Sequence, residues 1–194
     1  MHLFITLLIA HLFADFPLQT NKLAKLKETH WVGVLLHVLV HMAVTMLLIR
    51  NSQTYWPLIG GIGVVHFVID GLKLLCPAKK GVLYFLLDQL LHLLTLAIAS
   101  YIAQQVWHTF HPGILPDQWL LLILFAALIP ALMVLFWIWT NTLNQEYVAQ
   151  ISVLYWTKHQ LLGLEQRIGL VIIGFVFAES VFYTLAGMVE QMWR

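Results

Sequence analysis

The sequence has few charged residues and a single cysteine. Asp, Glu, Lys and Arg make up 10% of its 194 residues, whereas hydrophobic residues make up 61%. Charged residues are about a quarter of a typical soluble domain, so this chain has too few of them to cover a water-exposed surface. The formal net charge of +1 excludes the basic field that nucleic-acid binding requires. With Cys76 alone, no intramolecular disulfide can form.

The N-terminal apolar segment lacks a basic start. No Lys or Arg precedes Lys22, whereas a secretory signal peptide begins with a positively charged region. The segment also contains His11 and Asp15, and the apolar part of a signal peptide should not contain such ionisable residues. We therefore expect a retained first membrane span.

Long apolar runs predict an all-α, polytopic transmembrane helix bundle of about six spans. A span needs about 20 mostly apolar residues. The predicted spans cover about residues 1–19, 31–49, 56–77, 82–106, 119–139 and 168–188. We expect one integral membrane domain over residues 1–194. In it, residues 1–107 form a four-helix core that bears the His and Asp residues, and residues 118–194 add two spans with an interfacial segment at about 146–158.

The distribution of Lys and Arg predicts the orientation, because cytoplasmic loops of membrane proteins are enriched in both. Eight of the ten lie in or beside the loops after spans one, three and five, and the other two are Arg50 and Arg194. We therefore expect odd-numbered loops in the cytoplasm and both termini outside. In residues 20–30, Leu23 and Leu26 interleave with three lysines, which is typical of a helix on an anionic lipid surface.

Pairs of His and Asp at i,i+4 spacing occur on each of the first four predicted helices. The pairs are His11 with Asp15, His37 with His41, His66 with Asp70, and Asp88 with His92. Random placement of the ten His and four Asp residues gives about one such pair. Apart from His2, every His and Asp in these spans belongs to a pair. This spacing puts both side chains on one helical face, within reach of a common metal ion.

The four pairs also share one predicted depth. Successive helices alternate in direction, and the pairs lie near the C-terminal ends of spans one and three and the N-terminal ends of spans two and four. At 1.5 Å per residue, all eight side chains lie about 6–15 Å below the surface predicted to be cytoplasmic. Charges buried in lipid need compensation. Two divalent ions with one hydroxide, or one ion with Lys73, would neutralise the three carboxylates.

We therefore predict that all eight residues are metal ligands and hold one or two divalent ions. His and carboxylate ligands suit zinc first, with iron, manganese or nickel as alternatives, and the lack of thiolate ligands disfavours a structural zinc site. The predicted catalytic residues are Asp70, Asp88 and Lys73, the last as partner of an oxyanion or phosphate. The residues predicted to support the ligands or the substrate are Gln19, Gln89, Glu165 and Arg167. The alternative for the pairs is a hydrogen-bonded network that ties helices together.

The motifs resemble those of a known family of small polytopic bacterial inner-membrane proteins, which is known only as a domain of unknown function. The resemblance covers about residues 8–95. It rests on the motifs HxxxDFxLQ from His11, HFxIDxxK from His66 and DQxxH from Asp88, together with His37. The resemblance implies a bacterial origin and an inner-membrane location, and it implies no reaction. The pairs are more loosely similar to those of membrane-bound metal-dependent hydrolases.

These features favour a membrane-embedded metal-dependent enzyme, a hydrolase of a lipid or lipid-linked substrate near the cytoplasmic leaflet. The metal would activate water and polarise a phosphoryl or acyl oxygen, a free Asp or His would act as general base, and Lys73 or Arg167 would hold the anionic head group. One alternative is a membrane di-iron oxidoreductase. Another is a divalent-metal or proton-coupled transporter, which should have further ligands toward the outer face of the membrane. Glu179 alone offers such a ligand. The last is a non-catalytic membrane binding or structural protein. Membrane lipids are the expected partners, and the sequence leaves the oligomeric state open.

Overall fold

The structure is built from helices. The computed structural model describes residues 1–50, 52–75, 81–107 and 113–192, with side chains described as far as residue 182. Within these ranges the helices are α1 (His2–Asp15), α2 (Asn21–Lys27), α3 (Trp31–Leu48), α4 (Trp56–Leu75), α5 (Val82–Trp107), α6 (Asp117–Thr142), α7 (Gln145–Gln150) and α8 (Ser152–Met192). The predicted end of span three at Cys76 and Pro77, and the charges of Lys79, Lys80 and Arg194, lie outside the described residues.

Five helices in the described ranges are long and apolar enough to cross a bilayer. They are α3, α4, α5, α6 and the part of α8 from Ser152 to Phe182. α1 is also apolar but has only 14 residues, a length of about 21 Å against a hydrocarbon core of about 30 Å. The predicted all-α polytopic bundle is confirmed, and the chain is a membrane-embedded protein.

α1 is the most enclosed helix of the bundle. Eleven of its 14 residues are buried, whereas α5 buries four of its 26. α1 packs against α3, α5 and α6. Ile9 and Phe13 belong to one hydrophobic cluster and Leu3 and Leu7 to another. Because neighbouring helices rather than lipid surround α1, its short length causes no mismatch with the bilayer.

The outer helices expose apolar side chains. On α5, Leu90 is 48% exposed and Ile98 is 59% exposed. Such exposure is unfavourable in water, but in a bilayer these side chains are solvated by lipid. Contacts between helices use small residues instead, as expected where lipid competes for apolar surface. A β-carbon at Gly63 of α4 would lie 2.9 Å from the sulfur of Met42 on α3.

α8 begins earlier than the sequence pattern predicted. It is continuous from Ser152 to Met192, whereas span six was predicted from about residue 168. No proline interrupts residues 152–192, so the predicted interfacial helix and the span merge. The predicted interfacial segment at 146–158 is divided between α7, whose N-cap is the side chain of Asn144, and the first turns of α8.

α2 folds back onto the start of α3. It begins after Thr20, whose hydroxyl accepts a hydrogen bond of 3.3 Å from the amide of Leu23. A β-carbon at Gly33 of α3 would overlap the backbone of Leu26 and Lys27. The absence of a side chain at Gly33 therefore allows the two backbones to touch, and this contact holds Lys27 against the bundle.

Candidate metal centre

The eight paired side chains lie together in one layer between α1, α3, α4 and α5. We call them the His/Asp cluster: His11, Asp15, His37, His41, His66, Asp70, Asp88 and His92. Neighbouring imidazole centroids lie between 4.1 and 5.7 Å apart. All eight residues are buried except Asp88, whose side chain is 20% exposed. The structure thus brings together the eight side chains of the four predicted pairs.

Asp15, at the C-terminal end of α1, connects three helices. Its Oδ1 lies 3.0 Å from Nε2 of His37 and 3.1 Å from Nε2 of His41, both on α3. Its Oδ2 lies 3.3 Å from Nε2 of His11. The same oxygen accepts a hydrogen bond of 3.0 Å from the side-chain amide of Gln89 on α5. Asp15 is therefore held through both of its oxygens.

Asp70 of α4 has a fully buried carboxylate that contacts two lysines. Nζ of Lys27 lies 3.2 Å from Oδ2, and Nζ of Lys73 lies 2.5 Å from Oδ1. Two imidazoles face Oδ2 as well, with Nε2 of His66 at 3.4 Å and Nε2 of His37 at 3.5 Å. Since His37 also contacts Asp15, it links the two carboxylates.

Lys73 lies between two carboxylates. Its Nζ is 2.5 Å from Oδ1 of Asp70 and 2.5 Å from Oδ1 of Asp88 on α5. Nε2 of His92 lies 3.4 Å from Oδ1 of Asp88 and 3.8 Å from Oδ1 of Asp70. The residues predicted to be catalytic, Asp70, Asp88 and Lys73, are therefore in direct contact with one another.

Two overlapping sets of residues within the cluster have the spacing of metal ligands. The first set is Asp15, His37, His41 and His66, and the second is His66, Asp70 and His92; within each set the candidate ligand atoms lie within 4.8 Å of one another. Tetrahedral zinc with bonds of about 2 Å puts its ligand atoms about 3.3 Å from one another. Small side-chain movements would therefore bring either set onto an ion. His66 is common to both sets.

Several polar atoms of the cluster are buried without a hydrogen-bond partner in the described part of the chain. They include Nε2 of His11, Nε2 of His66 and Oδ2 of Asp70, of which the last is ion-paired with Lys27. Buried polar atoms are normally hydrogen-bonded, and these three lie at contacts between imidazoles and carboxylates. Lone pairs that converge in this way suit a cation, so the residues present fit one or two divalent ions.

Lys27 is a residue of this centre that the sequence pattern did not reveal. We predicted that it faces lipid headgroups, together with Lys22 and Lys25. Those two lysines are exposed, but the ammonium of Lys27 lies 3.1 Å from Nε2 of His37, and its side chain is 17% exposed. The available signal was Gly33, because a glycine near the start of an apolar helix permits a second backbone to approach closely.

The four residues predicted to support the ligands or the substrate differ in their burial and in their contact with the cluster. Gln89 contacts the cluster through Asp15. The backbone carbonyl of Gln19 accepts a hydrogen bond of 3.4 Å from Gln166 of α8, so α8 covers the chain just after α1. Glu165 is buried, and its Oε1 has no hydrogen-bond partner among the described residues. Arg167 is exposed on α8, so it does not belong to the buried layer.

A small cavity adjoins the cluster on the side away from the two lysines. Three imidazoles of the cluster, those of His11, His41 and His66, form one part of its wall. The rest of the lining is almost entirely apolar: Leu7, Met42, Thr45, Ile59, Ile62, Gly63 and Leu96. The centre therefore has a cationic side, formed by Lys27 and Lys73, and an apolar side.

Comparison with known proteins identifies one family. The family described as "Protein of unknown function (DUF3307)" matches residues 3–121, well over half of the chain. The matched range includes α1 from its second residue, all of α2 to α5 and the whole His/Asp cluster. No curated protein and no solved structure matches the chain.

Proposed function

The chain belongs to this family, whose description names no reaction, and we propose from the site itself that it is a membrane-embedded metal-dependent hydrolase. Its substrate is a lipid or a lipid-linked molecule. The His/Asp cluster holds one or two divalent ions, zinc first, with iron, manganese or nickel as alternatives.

The observation that carries this proposal is the convergence of five imidazoles and three carboxylates from four helices in one layer. A purely structural network would be expected to satisfy its own polar atoms. Here Nε2 of His11 and of His66 are buried without a hydrogen bond within the described residues. These two nitrogens meet carboxylate oxygens at 3.3 and 3.4 Å without the alignment of a hydrogen bond, which supports a metal centre over a structural network.

The chemistry follows from the ligands and their neighbours. A divalent ion bound by these ligands would supply a hydroxide nucleophile at neutral pH and polarise the oxygen of the bond that breaks. Asp88 is the most exposed carboxylate of the cluster, which suits it to take the proton of an incoming water. Lys73, between Asp88 and Asp70, is placed to stabilise a developing oxyanion.

The position of the centre suits a lipid substrate. The outer surface of the bundle is apolar, so lipid can reach the helices that carry the ligands without passing through water. We also propose a bacterial inner membrane, with the lysine-bearing side of the cluster toward the cytoplasm and both termini outside, on the basis of the Lys and Arg distribution.

The shape of the centre supports hydrolysis over transport. A carrier for metal ions or protons needs polar groups that continue across the membrane. The cavity beyond His11, His41 and His66 is lined mainly by apolar side chains such as Leu7 and Leu96. The same ligands would also hold two irons, so reaction of bound iron with oxygen, and not the presence of iron alone, separates an oxidoreductase from a hydrolase.

The test is metal analysis and lipid hydrolysis with purified protein in detergent. We expect one or two divalent ions per chain and metal-dependent hydrolysis of phospholipids or polyprenyl phosphates. His66→Ala should lose both metal and hydrolysis, because His66 belongs to both ligand sets. The matched control is His159→Ala, since His159 is exposed on α8, and it should keep both.

Three results would contradict the proposal. Trace metal in the wild type would contradict the metal centre, and lowered stability of His66→Ala and Asp70→Ala in that metal-free protein would favour the structural network. Metal uptake into proteoliposomes without any hydrolysis product would favour a transporter. Bound iron with an oxygen-dependent optical spectrum would favour the oxidoreductase.

A further inference from the structure

Two lysines beside the His/Asp cluster indicate which class of anion this centre binds. We propose that Lys27 and Lys73 form an anion-binding subsite on the His/Asp cluster, and that its ligand is the terminal phosphate of a lipid phosphate monoester. The inference rests on the proposed function, since it names the substrate class of the same site.

The two ammonium groups approach one carboxylate from different helices. Lys27 is the last residue of α2 and lies 3.2 Å from Oδ2 of Asp70. Lys73 of α4 lies 2.5 Å from Oδ1 of the same carboxylate. Each lysine therefore lies beside one oxygen of a candidate metal ligand. A phosphate bound to a metal ion on Asp70 would therefore have one ammonium group beside each oxygen of that carboxylate.

The charge of the centre calls for an anion once metal is bound. The three carboxylates and two ammonium groups leave one net negative charge, with the imidazoles neutral as metal ligands must be. Two divalent ions and one hydroxide change this to two net positive charges. Uncompensated charge within a membrane is costly. A phosphate monoester dianion supplies the two negative charges that balance it.

The number of donors points to the same ligand. When a metal ion takes the carboxylate of Asp70, the two ammonium groups lose much of the negative charge that they now face. A phosphate monoester has three unsubstituted oxygens for the metals and the lysines, a diester has two, and a carboxylic ester has one uncharged carbonyl. Charge-assisted hydrogen bonds from lysine suit phosphate oxygens. The monoester is therefore the class that satisfies all the donors.

The reaction on such a substrate is balanced by water alone. The water oxygen bonds to phosphorus, and the bond between phosphorus and the lipid oxygen breaks. One proton of the water passes to the departing oxygen. The products are a lipid alcohol and orthophosphate, and neither an oxidant nor a reductant is needed.

Gly33 is a positioning residue for this subsite. A β-carbon at residue 33 would overlap the carbonyl carbon of Leu26 and the amide nitrogen of Lys27. Substitution of Gly33 would therefore push α2 off α3 and withdraw Lys27 from Asp70. Gly61, on the lipid-exposed side of α4, offers a matched control, because no atom lies within 4 Å of a β-carbon there.

Orthophosphate binding to the metal-loaded protein, measured by calorimetry in detergent, tests the subsite. Loss of one charge-assisted hydrogen bond should raise the Kd of Lys27→Met about tenfold or more. Metal content should be unchanged, and Lys27→Arg should restore binding. Lys22→Met, an exposed lysine of the same helix, should bind as the wild type does. Metal-free protein should not bind orthophosphate, because both lysines then face carboxylates.

Lipid competitors identify the source of the phosphate. In mixed micelles, phosphatidate should displace orthophosphate, whereas phosphatidylglycerol, a diester, should not. Gly33→Ala should weaken both ligands as Lys27→Met does, and Gly61→Ala should leave both unchanged. Failure of phosphatidate to compete would mean that the site takes free phosphate, and equal competition by the diester would mean that it does not select a monoester. Either result overturns the proposal.

The subsite and the hydrolase can fail separately. Unaltered orthophosphate binding in metal-loaded Lys27→Met, or equal binding without metal, overturns the subsite even if a lipid is hydrolysed. Phosphate binding that requires both metal and Lys27, without hydrolysis of any lipid, supports the subsite and contradicts the hydrolase. A protein that binds no metal contradicts both.

Discussion

The side-chain amide of Gln89 donates a hydrogen bond of 3.0 Å to Oδ2 of Asp15. It connects α5 to α1, the most enclosed helix of the bundle. A carboxylate only accepts hydrogen bonds, so this donor fixes which oxygen of Asp15 faces α5. The other oxygen is left to His37 and His41. Gln89 thus orients a predicted metal ligand, as residues behind metal ligands commonly do.

Replacement of Gln89 by leucine should therefore affect both stability and metal binding. We expect Gln89→Leu to lower the free energy of unfolding by about 1–3 kcal/mol, because a buried acceptor loses its donor, and to weaken metal binding about 10- to 100-fold. Thermal unfolding in detergent and a metal titration measure the two effects. Gln105→Leu, at an exposed position on the same helix, is the control. Equal unfolding midpoints and equal metal affinities in the two variants would show that the contact has no such role.

Substitution of single histidines should reveal how the two ligand sets share His66. We expect His41→Ala to lose the ion of the first set and His92→Ala to lose the ion of the second. His66→Ala should lose more metal than either, since both sets include it. Metal content per chain after gel filtration measures this, with His159→Ala as the unaltered control. Identical metal content in all four variants would be incompatible with two overlapping sets.

Removal of metal should destabilise the protein. A ligand at about 100 times its Kd stabilises the folded state by about 2.7 kcal/mol, so a chelator should lower the unfolding midpoint of the wild type measurably. His66→Ala should show little further change with chelator, because His66 belongs to both ligand sets and its loss lowers the metal affinity of both. Thermal unfolding with and without chelator tests this. A midpoint that the chelator leaves unchanged in the wild type would argue for a metal-free network.

The contact between α8 and the turn after α1 should depend on Gly169. A β-carbon at residue 169 would overlap the ring of Pro17. We expect Gly169→Ala to lower the free energy of unfolding by about 1–3 kcal/mol, as overpacked sites do. Gly174→Ala, where no atom lies within 4 Å of the added carbon, should be neutral or slightly stabilising. Thermal unfolding of the two variants in one detergent makes the comparison, and a reversed order would contradict this packing.

Cysteine labelling should reveal the proposed orientation. In a Cys76→Ser background, Lys25→Cys on α2 should react with a membrane-impermeant maleimide only when the reagent reaches the cytoplasmic face. Gln53→Cys, in the loop between α3 and α4, should react only from the opposite face. Both positions are exposed. The reverse pattern would show that the Lys and Arg bias misleads for this chain.

The sequence predicts the parts of the structure that depend on a repeated local pattern. Apolar runs indicate the spans, and four-residue spacing indicates which faces carry His11, Asp15 and their counterparts. Alternating helix direction then brings these faces to one depth. None of these steps requires knowledge of which helix contacts which.

The features that were predicted incompletely depend on contacts between distant segments. Whether Lys27 faces lipid or the cluster depends on how α2 folds back at Gly33, which no periodic pattern contains. The predicted depth of Arg167 alone made it a candidate to hold the head group of the substrate, yet Arg167 lies on the exposed side of α8. The sequence predicts the position of a charged residue along a helix, but not the direction in which its side chain points.

The enclosure of α1 has a consequence for biosynthesis. Ribosomes release α1 before the helices that surround it, so the most buried helix of this protein enters the membrane before the helices that bury it. Asp15 is then a carboxylate inside lipid with few partners, which is unfavourable. The earliest relief is α3, which brings His37 and His41 to Oδ1. Insertion of α3 therefore supplies the first stabilising contacts to the Asp15 carboxylate. The ligand layer is complete only when α5 adds Gln89 and His92.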